Sequence, residues 1–168
     1  MKNMFLSFVF FCITFSGIGQ EYQDYYIRGI HKMEQKKYGE AIQEFSLTLN
    51  KKPDFEEAYL KRGACYQLLT DYNKAIDDFS KVIEINSKNE IAFYNRGLVK
   101  KDLGNYKEAI EDFSNTLQIN PEMKYAYYNR ALIELRINDF NSACMDLSKA
   151  ADLGVENAKE IYKYTCKQ

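Results

Sequence analysis

An internal period of about 34 residues constrains this chain more than any other feature. Between Glu90 and Met123 two amphipathic stretches flank a Gly104-Asn105 turn, and a step of one period either way brings back the same residue types. Phe93 lines up with Tyr25, Tyr59 and Tyr127, and Gly97 with Gly29, Gly63 and Ala131. Tyr106 lines up with Tyr38, Tyr72 and Phe140, Ala109 with Ala41, Ala75 and Ala143, and Phe113 with Phe45, Phe79 and Leu147. No insertion breaks these columns over four copies. Such a period means that each copy is one supersecondary unit, buries its faces only against its neighbours, and needs closed ends.

Within each copy the apolar residues follow helical spacing, as Tyr25, Tyr26, Gly29, Ile30 and Met33 do in the first. The pattern predicts helices over about 22–34, 38–50, 55–68 and 72–85, then a further pair in the third and fourth copies, and no strand. Repeats are placed at about 22–55, 56–89, 90–123 and 124–155 of one all-α domain, 20–168. Asp71, Asn105 and Asp139 stand where N-caps belong, and Glu108 three residues after Asn105 suggests a capping box. Pro121 marks a helix boundary. Gly154 is a C′ stop before a last helix, about 156–166, which closes the array. The small columns have a steric reading: Gly97 opposite Ala109 lets two helices approach, and Phe113 fills space towards the next pair.

These columns resemble the tetratricopeptide repeat, whose pattern places an aromatic, Leu-Gly, a second aromatic, an Ala, a Phe or Tyr and a Pro over about 34 residues. The resemblance covers Tyr22 to about Leu153, with Pro53 and Pro121 in the last column of two copies. It implies a right-handed solenoid of four antiparallel helix pairs with a C-terminal capping helix. It also implies a non-catalytic function in binding a protein or peptide along the inner face of each first helix. On this chain that face comprises Tyr26 and Ile30; Leu60 and Ala64; Ile91, Tyr94 and Leu98; and Tyr125, Tyr128 and Leu132. The groove so formed is apolar and rich in tyrosine, suited to apolar anchors of an extended peptide or helix. Ile30, Leu98 and Leu132 fit equally well as core. Of the Lys, Asn and Arg set with which some members clamp a terminal carboxylate, only Asn95 and Asn129, beside Lys61, are present, so no such clamp is expected.

One departure from the family pattern is systematic. Arg28, Arg62, Arg96 and Arg130 stand in the Leu column, each followed at one constant offset by an acid: Glu44, Asp78, Asp112 and Asp146. An ion-pair ladder within or between hairpins is the structural reading, since a guanidinium donates two parallel bonds to a carboxylate while its stem covers apolar surface. An anion-binding stripe is the functional alternative, weakened by the matched acids.

Three cysteines follow the N-terminal segment: Cys65, Cys144 and Cys166. About a bend at Val155, Cys144 lies 11 residues before and Cys166 11 after, so antiparallel helices would bring them level. A disulfide stapling the last helix and two separate buried thiols both fit this spacing. Cys65 reads as a small buried hydrophobe. There is no CxxC, and His31 is the only histidine, so zinc or Cys/His chemistry has little to build on. No cofactor or catalytic constellation is expected; an envelope enzyme using a reactive thiol is the alternative from another class.

Residues 1–19 have the layout of a secretory signal peptide: Lys2, an apolar run from Met4 to Phe15, then small and polar residues ending Gly17-Ile18-Gly19. Cleavage is expected near Gly19-Gln20 and residence in the periplasm or outside the cell, with no stable membrane insertion afterwards. The run is short for a spanning helix, which needs roughly 20 residues. Phe11 before Cys12 does not fit a lipidation site. Of 23 basic and 24 acidic residues, only Lys2 lies in that segment, so the remainder carries 22 against 24, a net charge of −2. That balance gives no electrostatic reason to expect nucleic acid or an anionic membrane as partner. Another polypeptide, or a second copy of the chain, is the partner expected.

Overall fold

The computed structural model describes residues 21–166, and every regular element among them is an α-helix. In chain order these are α1 (residues 21–34), α2 (Tyr38–Lys51), α3 (Glu56–Leu68), α4 (Tyr72–Ile85), α5 (Glu90–Asp102), α6 (Tyr106–Ile119), α7 (Lys124–Arg136), α8 (Phe140–Asp152) and α9 (Glu156–Thr165). The expected signal segment, 1–19, lies outside the described residues. Two compact units are present, one ending at Asp71 with α1–α3 and one beginning at Tyr72 with α4–α9. None of the described helices is long and apolar enough to cross a membrane.

The period is written into the backbone as well as the side chains. Lys36, Thr70, Gly104 and Asn138, one repeat apart from each other, all adopt positive φ, and Gly154 repeats the conformation before α9. Each follows a helix and forms two closing bonds. For Gly104 these are its own N–H to Lys101 O (3.0 Å) and Asn105 N–H to Lys100 O (2.9 Å), and the same pair recurs at all five turns. This is the Schellman stop, which satisfies carbonyls orphaned at a helix end. Gly104 and Gly154 adopt it without steric cost, whereas Thr70 is β-branched and carries strain of about 1–2 kcal/mol.

The caps divide. Asp139 accepts from Ser142 N–H at 3.2 Å as expected, and Asn89, not among the expected caps, accepts from Ala92 N–H at 2.8 Å. Asn105 occupies the N-cap position of α6 but its side chain makes no capping bond, so the expected capping box does not form. Pro121 lies in the turn after α6, and α7 begins only at Lys124.

In the first unit the core is Ala41, Phe45 and Cys65, with Tyr26, Ile30, Met33, Tyr38 and Ile42 packed around it. The second unit has two clusters. Ala109, Phe113, Leu117, Ala126 and Ile133 form one; Ala131, Leu147, Ala150, Val155 and Ala158 form the other, where α9 covers α8. An unforeseen alanine column, Ala58, Ala92 and Ala126, is fully buried on the first helices of the pairs.

The steric reading of the columns needs correction. The nearest side chain to Gly29 and Gly97 is the phenylalanine of the partner helix, not the alanine. A Cβ on Gly97 would lie 3.0–3.2 Å from the Phe113 ring and 3.3 Å from Asp112 Cβ. On Gly29 it would lie 2.5–2.9 Å from three ring atoms of Phe45, which is fully buried. The fourth copy keeps the volume by exchanging sizes, with Ala131 and Leu147 buried in one cluster in place of glycine and phenylalanine. Gly29→Ala is therefore expected to lose about 1–2 kcal/mol, overpacking outweighing the roughly 1 kcal/mol gained in helix propensity. Adding Phe45→Leu should recover part of that loss, a coupling visible in a urea double-mutant cycle. A Gly29→Ala chain as stable as the parent would disprove the close packing.

Candidate functional site

On α5, Ile91, Tyr94 and Leu98 fall on one face by their three-and-four spacing, and on α7 Tyr125, Tyr128 and Leu132 repeat it. The structure assigns them different depths. Tyr94 is half-buried, its ring 5.8 Å from that of Phe113. Asn129 Nδ2 donates to the Tyr94 hydroxyl at 3.2 Å and to Tyr125 O at 2.8 Å, and Lys101 Nζ donates to Asn129 Oδ1 at 2.8 Å. Burial, then the neighbouring Tyr125, pushes the Tyr94 phenol above its ordinary pKa. Leu98 and Tyr128 pack against the two core clusters of this unit, and Leu132 is half-buried. Ile91 and Tyr125, at equivalent positions of successive repeats, face solvent at 43% and 52% exposure. These two are the accessible apolar contacts, and Tyr94 is the floor beneath them. Asn129, one of the few clamp-type residues present in the sequence, is buried and spent on holding α5 to α7.

In the first unit the equivalent row is Tyr26, Ile30, Leu60 and Ala64, all half-buried. Tyr26 packs tilted against Phe45 and edge-to-face with Phe55, ring centroids 5.8 and 5.0 Å apart. Burial, followed by the nearby Glu57, raises its phenol pKa.

The arginine column builds a second, distinct feature. Arg96 of α5 donates from Nε and Nη2 to the two oxygens of Asp112 on α6 (2.9 and 2.7 Å) and from Nη1 to Ser80 of α4 (2.9 Å). Arg130 of α7 repeats this with Asp146 of α8 (2.6 and 2.9 Å) and Ser114 of α6 (2.8 Å). In the first unit Arg28 reaches Glu44 at 3.0 Å and Arg62 donates to Ser46 at 3.0 Å. Asp78, in the acid column, is buried in α4. Each guanidinium also lies over the aromatic three residues before it, 4.5–5.8 Å from the ring centroids of Tyr25, Tyr59, Phe93 and Tyr127. The carboxylate fixes the arginine within its hairpin, and the serine ties it to the preceding helix. The serine column was missed, although Ser46, Ser80, Ser114 and Ser148 recur with the same period.

One position breaks the ladder's charge pattern. Lys100 Nζ lies 2.7 Å from Asp112, giving that carboxylate two cations. Its equivalent beside Asp146, one period further on, is Glu134. Glu134 is buried, lies 3.9 Å from Arg130, and its Oε2 has no hydrogen-bond partner among the protein atoms. Burial first, then Asp146, raises its pKa to about 7 against the opposing pull of Arg130, with Asp139 adding to the rise. A carboxyl raised on folding binds protons that the unfolded chain releases. Its stabilising effect is complete below about pH 4.5 and is lost as pH rises towards 7.

Cys144 of α8 and Cys166 after α9 form a disulfide, Cα atoms 5.7 Å apart. Cys65 is buried, and burial pushes its thiol up to about 11, so it stays protonated at neutral pH. That is the opposite of an activated thiol. Among the described residues no group of three or more His, Cys, Asp or Glu is arranged to hold a metal ion.

The tetratricopeptide repeat family model matches residues 56–89 and 91–123. No curated protein matches the chain. Among solved structures, a MamA crystal structure superposes with TM-score 0.77 at 24% identity, covering 82% of this chain and 81% of that one. MamA residues 41 to the end from Desulfovibrio magneticus RS-1 give 0.79 at 20% identity, covering 89% and 92%. The first repeat domain of Spaghetti (RPAP3), solved with the HSP90 peptide SRMEEVD, gives 0.69 at 22%, covering 71% and 94%. These likenesses establish the fold, the all-α helix-pair solenoid expected from the period. Residues 56–89 and 91–123 are thus tetratricopeptide repeats, and the described chain has the fold of tetratricopeptide-repeat structures.

Proposed function

We propose that this protein binds a polypeptide of the bacterial envelope, without catalysis, through the apolar row on α5 and α7. The exposure of Ile91 and Tyr125 at equivalent positions of neighbouring helices carries this reading. Large side chains anchored on a packed floor of Tyr94, Leu98, Tyr128 and Leu132 present contact area at little entropic cost. Tetratricopeptide repeats mediate protein–protein contact, and one structural neighbour was solved with a bound peptide. The first-unit row of Tyr26, Ile30 and Leu60 supplies a second apolar stretch of the same composition. Envelope residence is supported by the signal-like N-terminus and by the Cys144–Cys166 pair, since such bonds persist in oxidising compartments.

A photoreactive residue at Tyr125, crosslinked in cells and read by mass spectrometry, is expected to capture one polypeptide reproducibly. Ile91→Ser in the same chain should reduce that yield about tenfold, for a loss near 1.4 kcal/mol. Capture of the chain itself would assign the row to self-association. Equal capture from a probe at Glu108 would refute the site. A mature chain whose first residue is not close to Gln20 would refute the export reading.

A further inference from the structure

Repeats three and four share the arginine, aspartate and serine of this cluster and differ around them, most sharply where Lys100 gives way to Glu134. At α5/α6, Asp112 is held by Arg96 and by Lys100 Nζ at 2.7 Å. At α7/α8, Asp146 is held by Arg130, and Glu134 stands where that ammonium belongs. Two cations to one acid become one cation to two acids, with Asp139 adding a third carboxylate nearby. Glu134 is 8% exposed at its side chain, yet its Oε2 finds no donor in the protein. A buried carboxylate oxygen without a donor is destabilising, because the hydration it loses is not replaced. It lines a surface cavity of about 270 Å³ together with Arg130, Ser142, Met145 and Asp146.

We propose that this cavity is a binding site for a primary alkylammonium, the lysine side chain of a polypeptide partner, held between Glu134 and Asp146 as Lys100 is held by Asp112. The missing donor is a cation of the size and reach of lysine, because lysine fills the matching place one repeat earlier. Met145, 75% exposed, offers its thioether chain to the methylene stem, and Ser142 adds a hydroxyl at the mouth. The site is separate from the apolar row. Arg130 and Glu134 lie two positions from Tyr128 and Leu132 on α7, and two residues turn a helix by about 200°. It therefore stands or falls independently of that row.

The test uses the full chain with 13C-labelled carboxyl groups at pH 8, where Glu134 is ionised. The probe is a blocked Gly-Lys-Gly tripeptide. Its addition is expected to displace the Glu134 and Asp146 carboxyl resonances saturably, and the Nε-acetylated tripeptide should leave them in place. Glu134→Gln should weaken the response at Asp146 at least about tenfold. Glu134→Lys, which copies Lys100, should abolish it and raise the urea midpoint by supplying the cation internally. No saturable displacement, or equal displacement by the acetylated peptide, overturns the proposal. So does a response to butylamine that the tripeptide fails to give, because the site would then take a free amine.

Discussion

Asp112→Ala is expected to lower the stability of the chain by about 3 kcal/mol, read as a shift in urea midpoint at unchanged slope. Asp112 is 1% exposed and receives both guanidinium bonds of Arg96 and the ammonium of Lys100. Removing it leaves two cations, 18% and 17% exposed at their side chains, without the charge that justified desolvating them. Loss of one partner of a buried pair costs roughly 3–5 kcal/mol. The lower end applies because Arg96 keeps Ser80 and the Phe93 ring. Arg28→Ala is the contrasting variant, since that arginine is 51% exposed and water screens its pair with Glu44. Its midpoint should move little. Comparable shifts for the two variants would show that burial does not set the strength of the ladder.

Reduction of Cys144–Cys166 is expected to cost a similar amount. The bond closes a separation of 22 residues, worth about 3 kcal/mol in chain entropy. What it fastens is weak by itself. Helix α9 has 10 residues and one buried side chain, Ala158, and helices shorter than about 12–15 residues are marginal in water. Dithiothreitol should lower the urea midpoint of the parent, Cys166→Ser should show the lowered midpoint at once, and reductant should add nothing further to the variant. Amide exchange should rise first in α9, leaving Leu147 and Ala150 beneath it less protected. Equal midpoints with and without reductant would mean that packing alone holds the cap.

The two features were legible in the sequence to different extents. The constant offset between Arg96 and Asp112 places a cation and an anion on the two helices of every hairpin, and the α5/α6 and α7/α8 pairs show the bidentate contact. Spacing about Val155 brought the two cysteines level, but left open whether their side chains point together. The third bond of each arginine, to Ser80 or Ser114, joins neighbouring hairpins, and a column of serines in one repeat does not announce its partner in another. Depth was harder still. Ile91 and Tyr94 lie on one helix face, yet one faces water and the other is pinned by Asn129 across from α7.

By itself the sequence determined the helices, their order, the period of their stops and the matching of each arginine to an acid at one constant offset. These depend on residues close along the chain, and four copies repeat the message. Only the tertiary structure decided that glycine meets phenylalanine, that Tyr94 is floor while Tyr125 is surface, and that Glu134 is buried without a donor. Those outcomes depend on how far each helix is rotated against its neighbour. A rotation of one helical position, about 100°, exchanges buried for exposed while leaving every local signal in the sequence unchanged.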